Sequence, residues 1–323
     1  MRIMITGARG FVGPHVAEAL RRLCGSRVEI VATARVGGQH PLLGSVMTLD
    51  VVDRAALGAA IAGIKPTHVV HLAGFAAPAA VRADPDAAWR LHVHGTLDLA
   101  RAILQQAPDC CLIHVGSGLV YGESAKSGRA LDENVVLAPI DEYSVTKAAA
   151  DLALGALARR GLKCIRMRPF NHSGTGQSEA FVIPAFAMQI ARIEAGLHPP
   201  VIRVGNLDAQ RDFLDVRDVA SAYALAVGSV GRLEPGIVLN VASGVPRRIS
   251  DVLSGLVAKS RIRISIEQDP ARNRPDDVPI IVGDANRARE VLGWRPEHTF
   301  DDMLTAVMNN CRARAAQQAM VQP

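Results

Sequence analysis

Apolar positions in the first half of the chain fall in short unbroken runs separated by amphipathic stretches. That is the pattern of a parallel sheet whose strands are covered by helices on both faces. The runs place strands near residues 2–6, 28–34, 45–49, 67–72, 110–116 and 162–168, and helical periodicity falls near 12–24, 53–62, 85–107 and 142–160. After Pro169 the pattern changes to a Gly-rich loop at 173–176, a helix near 181–195 and Pro-rich joins at 199–200 and 270–279. The expectation is a doubly wound dinucleotide-binding domain over 1–170. A smaller, mainly substrate-binding α/β lobe follows over 171–323, with segments around 205–240 and 285–292 returning to the main domain.

Composition narrows the class. With 323 residues, 49% apolar and 21% charged, the chain can bury a large core and has no low-complexity tract. Its apolar runs are broken by Gly, Pro or charge, and the N-terminus enters Ile3-Met4-Ile5 directly, without the order of a signal peptide. A cytoplasmic protein that spans no membrane is expected. Cys24, Cys110, Cys111, Cys164 and Cys311 are odd in number and lack metal-ligand spacing, so they read as reduced core thiols and no metal site is expected. The net charge of +5 suits an anionic ligand, but no basic run or basic-aromatic stripe points to nucleic acid.

The first strand runs into Gly7-Ala8-Arg9-Gly10-Phe11-Val12-Gly13, and a helix follows. There the glycines allow a tight turn, and the helix N-terminus offers free N–H groups to a pyrophosphate, a Rossmann-type arrangement. The second strand is followed by Arg35 where NAD sites usually carry an acid, which favours NADP(H) while leaving NAD(H) possible. Asp50 is placed to meet an adenine amino group, or else to cap the helix beginning near Asp53.

Tyr143 and Lys147 stand four residues apart, on one face of a helix. Bringing a phenol from its usual pKa near 10 towards 7 takes roughly 4 kcal/mol of preference for phenolate, which a nearby cation can supply. Alone, the pair also fits a surface tyrosine beside a solvated lysine. Ser117, in Val115-Gly116-Ser117-Gly118-Leu119-Val120-Tyr121-Gly122, falls at the end of the fifth predicted strand, where such folds build active sites.

Taken in order, the glycine loop, His71-Leu72-Ala73, Ser117 and the Tyr143/Lys147 pair resemble the extended short-chain dehydrogenase/reductase family. The resemblance implies that Ser117 polarises a substrate oxygen, Tyr143 exchanges its proton, and Lys147 holds the nicotinamide ribose and depresses the Tyr143 pKa. It also implies a cofactor site completed by Val51, Leu72, Ala73, Gly74 and Phe170, and a homodimer through the helices near 85–107 and 142–160.

Arg168-Pro169-Phe170-Asn171-His172 and Gln210-Arg211-Asp212-Phe213 are similar to members acting on GDP-hexoses. That likeness implies a nucleotide-sugar site with Arg211 and Arg274 for the diphosphate, Asn171 as a neutral donor, Asp277 accepting from a ribose hydroxyl, and Gly118 and Val182 lining it. Sugar-nucleotide 4,6-dehydratases of the family carry a Glu where this chain has Leu119, and leucine cannot move a proton. Reduction of a C4 ketone is therefore expected, with GDP-4-keto-6-deoxy-D-mannose giving GDP-D-rhamnose. A 4-epimerase, a GDP-mannose 4,6-dehydratase and a non-catalytic dinucleotide sensor are the alternatives. His92 departs from the family's usual Asn; a structural hydrogen bond or turn cap is expected of it rather than a proton relay. His71 is also read as structural.

Overall fold

The computed structural model describes residues 1–272 and 278–321. The chain begins with β1 (Arg2–Thr6), α1 (Val12–Cys24), β2 (Glu29–Ala34), β3 (Gly38–His40), β4 (Gly44–Thr48), α2 (Arg54–Ile64) and β5 (His68–His71). α3 (Pro78–Ala83) and α4 (Pro85–Ala88) lead through a π-helical turn, Trp89–Gly95, into α5 (Thr96–Gln106). β6 (Cys111–Val115), a 3-10 stretch over Gly118–Ser127, α6 (Glu142–Ala158) and β7 (Cys164–Pro169) follow. The second half contains β8 (Asn171–Ser173), α7 (Val182–Glu194), β9 (Val201–Val204), β10 (Gln210–Asp215), α8 (Val216–Ser229) and β11 (Ile237–Val241). It closes with β12 (Pro246–Arg248), α9 (Ile249–Val257), β13 (Ser265–Gln268), β14 (Ile280–Ile281), α10 (Asn286–Leu292) and α11 (Phe300–Val321).

Eight strands form the main sheet in the order β11-β7-β6-β5-β1-β2-β4-β3. Every pairing is parallel except that of the edge strand β3 with β4. Both faces are covered, so Ile3, Met4 and Ile5 of β1 are all fully buried rather than alternating. Ile3 and Ile5 join the core under α1 and α8; Met4 joins the core under α2, α5 and α6. β11, α8 and α10 belong to this main body although they lie late in the chain.

A second core gathers α7, α9 and α11 around Phe186, Met188, Leu253, Leu256, Met303 and Met308. The strands beside it are short, β12-β10-β14 with β8 on β10, and the separate pair β13-β9. Among the described residues, no helix is long and apolar enough to cross a membrane. All five cysteines are free and buried, and burial pushes the Cys110 and Cys111 thiols up to about 12, so they stay protonated.

Two differences from the sequence pattern bear on the site. The helix expected over 85–107 is interrupted by the π-helical turn, whose extra residue per turn accommodates the buried His92 ring. The segment after β2 folds back as the short antiparallel strand β3, which three polar or glycine residues gave no periodicity to announce.

Candidate active site

The sheet changes winding direction between β1 and β5, and the loops after both strands meet there. Gly7, just past β1, has φ +64°, and a Cβ on it would lie 2.7 Å from the Ala73 nitrogen beyond β5. A Cβ on Gly13 would overlap the Ala8 carbonyl, so that glycine lets α1 start tight against the turn. Arg9 and Gly10 are exposed at this mouth. Phe11 and Val12 are half-buried, and the Phe11 ring stacks on His172 at 6.1 Å, bridging from α1 to β8. A backbone cradle that any side chain would fill, at the N-terminus of α1, fits the pyrophosphate of a dinucleotide.

On the far side of β2, Arg35 is exposed and Arg9 donates from Nη2 to the Gln39 carbonyl in β3 at 2.7 Å. The β3 strand thus brings a second arginine to the strand end where Arg35 emerges. Asp50 accepts from the Val52 amide at 3.1 Å, while Asp53 itself caps α2 by accepting from Ala56. Asp50 is therefore not the cap of that helix. Val51 is buried, and Leu72, Ala73 and Gly74 are half-buried along the loop after β5.

The Ser117, Tyr143 and Lys147 side chains converge at the C-terminal end of β6. Asp141 caps α6 in a reciprocal box, its carboxylate accepting from the Ser144 amide at 2.8 Å while its own amide donates to the Ser144 hydroxyl at 3.2 Å. The cap fixes the first turn of α6, which carries Tyr143, and Lys147 follows one turn later on the same face; each is 8% exposed. Lys147 donates from Nζ to the Val115 carbonyl of β6 at 3.2 Å. Ser117 caps the next turn by accepting from the Leu119 amide at 3.1 Å, and its hydroxyl is close enough to Tyr143 to favour phenolate.

Burial nevertheless dominates Tyr143 and pushes its pKa up to about 12. The Ser117 hydroxyl pulls the other way, towards phenolate, and burial outweighs it. Lys147 is itself lowered to about 8 by burial. Its neighbours are imidazoles: His71 and His92 are each lowered to about 3 and His114 is held well below its usual value, by burial first and by the Lys147 charge second. His71 is braced by hydroxyls on both ring nitrogens, Thr6 at 2.7 Å and Thr96 at 3.0 Å, which is a structural setting.

An apolar cluster surrounds the phenol. Val81 and Ala88 are buried against Tyr143, and Phe75 and Leu119 pack on the same cluster while remaining half-buried. Phe75 was not anticipated from the sequence; its only signal was an aromatic directly after Leu72-Ala73-Gly74, in a chain with seven phenylalanines.

Of the remaining predicted residues, Phe170 is turned into the core, stacked on Tyr121 at 6.2 Å and close against Gly118 and Gly283. It backs the Ser117 turn, leaving little of its ring to meet a cofactor directly. Asn171 opens β8 and Val182 opens α7, both half-buried. Arg211 is 9% exposed and donates from Nη1 to the Gln210 and Val278 carbonyls at 2.7 and 2.8 Å. Arg274 and Asp277 lie outside the described residues. Among the described residues, no group of three or more His, Cys, Asp or Glu is arranged to hold a metal.

The chain is similar to known proteins over nearly its whole length. The family model described as GDP-mannose 4,6 dehydratase matches residues 4–307. The GDP-6-deoxy-D-mannose reductase of Pseudomonas aeruginosa is 34% identical over 98% of this chain and 99% of its own length. The solved structure of RMD from Pseudomonas aeruginosa complexed with NADPH superposes with a TM-score of 0.85 at 30% identity, covering 97% of this chain and 99% of that one. The UDP-glucose 4-epimerase of Thermus thermophilus in complex with NAD gives a TM-score of 0.83 at 26% identity, covering 97% and 99%. With the glycine turn at the switch point and the Ser117, Tyr143 and Lys147 side chains gathered at the strand ends, the chain belongs to the GDP-mannose 4,6-dehydratase family of extended short-chain dehydrogenase/reductases, NAD(P)-dependent enzymes.

Proposed function

We propose that the protein reduces the C4 ketone of a GDP-linked 4-keto-6-deoxy sugar, GDP-4-keto-6-deoxy-D-mannose to GDP-D-rhamnose, with NADP(H) as the preferred cofactor. The observation that carries this reading is Leu119 on the cluster that packs the Tyr143 ring, where elimination of water would need a carboxylate. Similarity to a GDP-6-deoxy-D-mannose reductase supports the substrate class, and similarity to an NADPH complex, together with Arg9 and Arg35 at the end of β2, supports the cofactor.

When bound, the nicotinamide cofactor supplies the hydride that reduces C4. Ser117 orients the ketone oxygen, and Tyr143 Oη delivers the proton that oxygen takes up. With burial raising its pKa to about 12, the Tyr143 phenol carries its proton at neutral pH and is ready to donate it. Lys147, cationic below about 8, stabilises the phenolate that remains. Gly7, Gly10, Val12 and Gly13 hold the pyrophosphate, with Asp50, Val51, Leu72, Ala73 and Gly74 along the adenosine and ribose. The second core forms the substrate lobe, with Asn171, Val182 and Arg211 facing the nucleotide sugar and Gly118 giving it room. A homodimer forms through α5 and α6. The test is to incubate the protein with NADPH and GDP-4-keto-6-deoxy-D-mannose, follow loss of the reduced nicotinamide, and identify the sugar. Epimerisation of a UDP- or GDP-hexose without cofactor consumption would assign the alternative 4-epimerase activity instead.

A further inference from the structure

We infer that Phe75 and Leu119, with Val81 and Ala88 behind them, seat the C6 methyl group of the sugar and select 6-deoxy sugars over their 6-hydroxy counterparts. The inference rests on the ketone-reductase reading above and adds a specificity determinant to it.

In a pyranose, C4 is flanked by C3, which bears a hydroxyl, and by C5, which bears C6. Holding the C4 oxygen between Ser117 and Tyr143 places both flanks within a side chain's length of those residues. The apolar side chains on the Tyr143 ring are Val81, Ala88, Phe75 and Leu119; its polar neighbours are the His92 ring, edge-on at 5.8 Å, and the Ser117 hydroxyl. Phe75 and Leu119 are only half-buried, so each has a packed part and a part open to solvent.

The amides of the same two residues are committed as well. The Phe75 N–H donates to His92 Nε2 at 2.9 Å, and the Leu119 N–H donates to the Ser117 hydroxyl oxygen at 3.1 Å. A hydroxyl set against this wall would leave water without a donor to replace it, whereas a methyl group fills it with no polar loss. The wall therefore takes the C5 flank of the ring and leaves the C3 hydroxyl to the polar side. An apolar pocket of this kind discriminates against an added hydroxyl by about 100-fold.

The experiment runs the reaction in the oxidative direction with NADP⁺, comparing kcat/KM for GDP-6-deoxy-D-mannose and GDP-D-mannose. The wild-type protein is expected to favour the 6-deoxy sugar by about 10- to 200-fold. Leu119→Asn, which offers a donor and an acceptor on a side chain of similar length, is expected to reduce that ratio by about tenfold, and Phe75→Leu to reduce it less. NADPH affinity and a thermal melt report whether each variant is folded. A purely structural role would lower both sugars alike and leave the ratio unchanged, which would overturn the inference. So would a wild-type ratio near one, a result that needs no variant. A protein that turns over neither sugar, and does not reduce the 4-keto sugar, would remove the reductase reading itself.

Discussion

His92 Nδ1 lies 2.8 Å from the hydroxyl of Thr146, and that hydroxyl donates to the Tyr143 carbonyl at 2.9 Å. Nε2 faces both backbone groups of Phe75, the N–H at 2.9 Å and the carbonyl at 3.2 Å. Both ring nitrogens thus have partners in either tautomer, and the pKa of about 3 keeps the imidazole neutral. It fastens the first turn of α6, through the Thr146 hydroxyl, to the Phe75 backbone in the loop after β5. Replacing His92 with Ala strands two buried polar partners, at about 1–3 kcal/mol. A fall of several degrees in the melting temperature is expected, with turnover reduced more than cofactor affinity. His92→Asn, which can both donate and accept, should recover part of each.

Tyr143→Phe removes the proton without disturbing the cap at Asp141. A loss of about 10²- to 10⁴-fold in kcat is expected, with NADPH binding, followed by fluorescence, within a few-fold of wild type. Activity at the wild-type level would remove Tyr143 as the acid.

Lys147 sets the alkaline limb. Its folded pKa of about 8 lies below its ordinary value of 10.5, so the lysine loses its charge as pH rises through 8 and turnover is expected to decline above it. The stability effect has the opposite sign. Between about 8 and 10.5 the folded chain binds fewer protons than the unfolded chain, so the burden of burying the charge is fully present below pH 8 and is relieved as pH rises towards 10.5. Lys147→Met should therefore stabilise the protein at neutral pH, by on the order of 3 kcal/mol at most. Thermal melts should show that gain vanishing by the upper end of the window, while activity is lost throughout.

Arg35 and Arg9 are expected to act on the cofactor's 2'-phosphate. Arg35→Ala should raise the KM for NADPH about 10- to 100-fold and leave that for NADH nearly unchanged, because only one cofactor carries the anion that the guanidinium pairs with. Equal effects on both cofactors would place Arg35 outside the site.

The proposed dimer would use the outer face of α6. Leu152 is 59% exposed there, in line with the half-buried Val145 and Ala149. Leu152→Arg places a charge in the centre of that face and is expected to shift sedimentation from dimer to monomer. A wild-type protein that sediments as a monomer at micromolar concentration would rule the dimer out.

The sheet and its winding were legible because buried parallel strands leave unbroken apolar runs, as Ile3-Met4-Ile5 and Cys111-Leu112-Ile113 do. The Tyr143/Lys147 pair was legible from helix spacing and Ser117 from its place at a strand end, both local facts, while their convergence rested on the family resemblance. The setting of Tyr143 was not legible. Its high pKa and its wall of Val81, Ala88, Phe75 and Leu119 come from segments brought together by the fold, which no window of sequence contains. The π-helical turn at His92 was hidden for a related reason, since one extra residue barely disturbs an apolar period over a long helix. Arg211 was placed on the diphosphate by resemblance; that its guanidinium also donates to the Gln210 and Val278 carbonyls is a contact only the fold creates.

Asp212, next to that arginine, is fully buried, and its carboxylate accepts from the Ser243 amide and hydroxyl, the Gly244 amide and the Gly283 amide. The donors follow β11 of the main sheet and β14 of the small one, while Asp212 itself lies in β10. One carboxylate therefore ties the main sheet to the smaller core. Swinging one core away from the other would strip that charge of its donors inside the protein, a loss of several kcal/mol, so the two cores are held against rotation about this point.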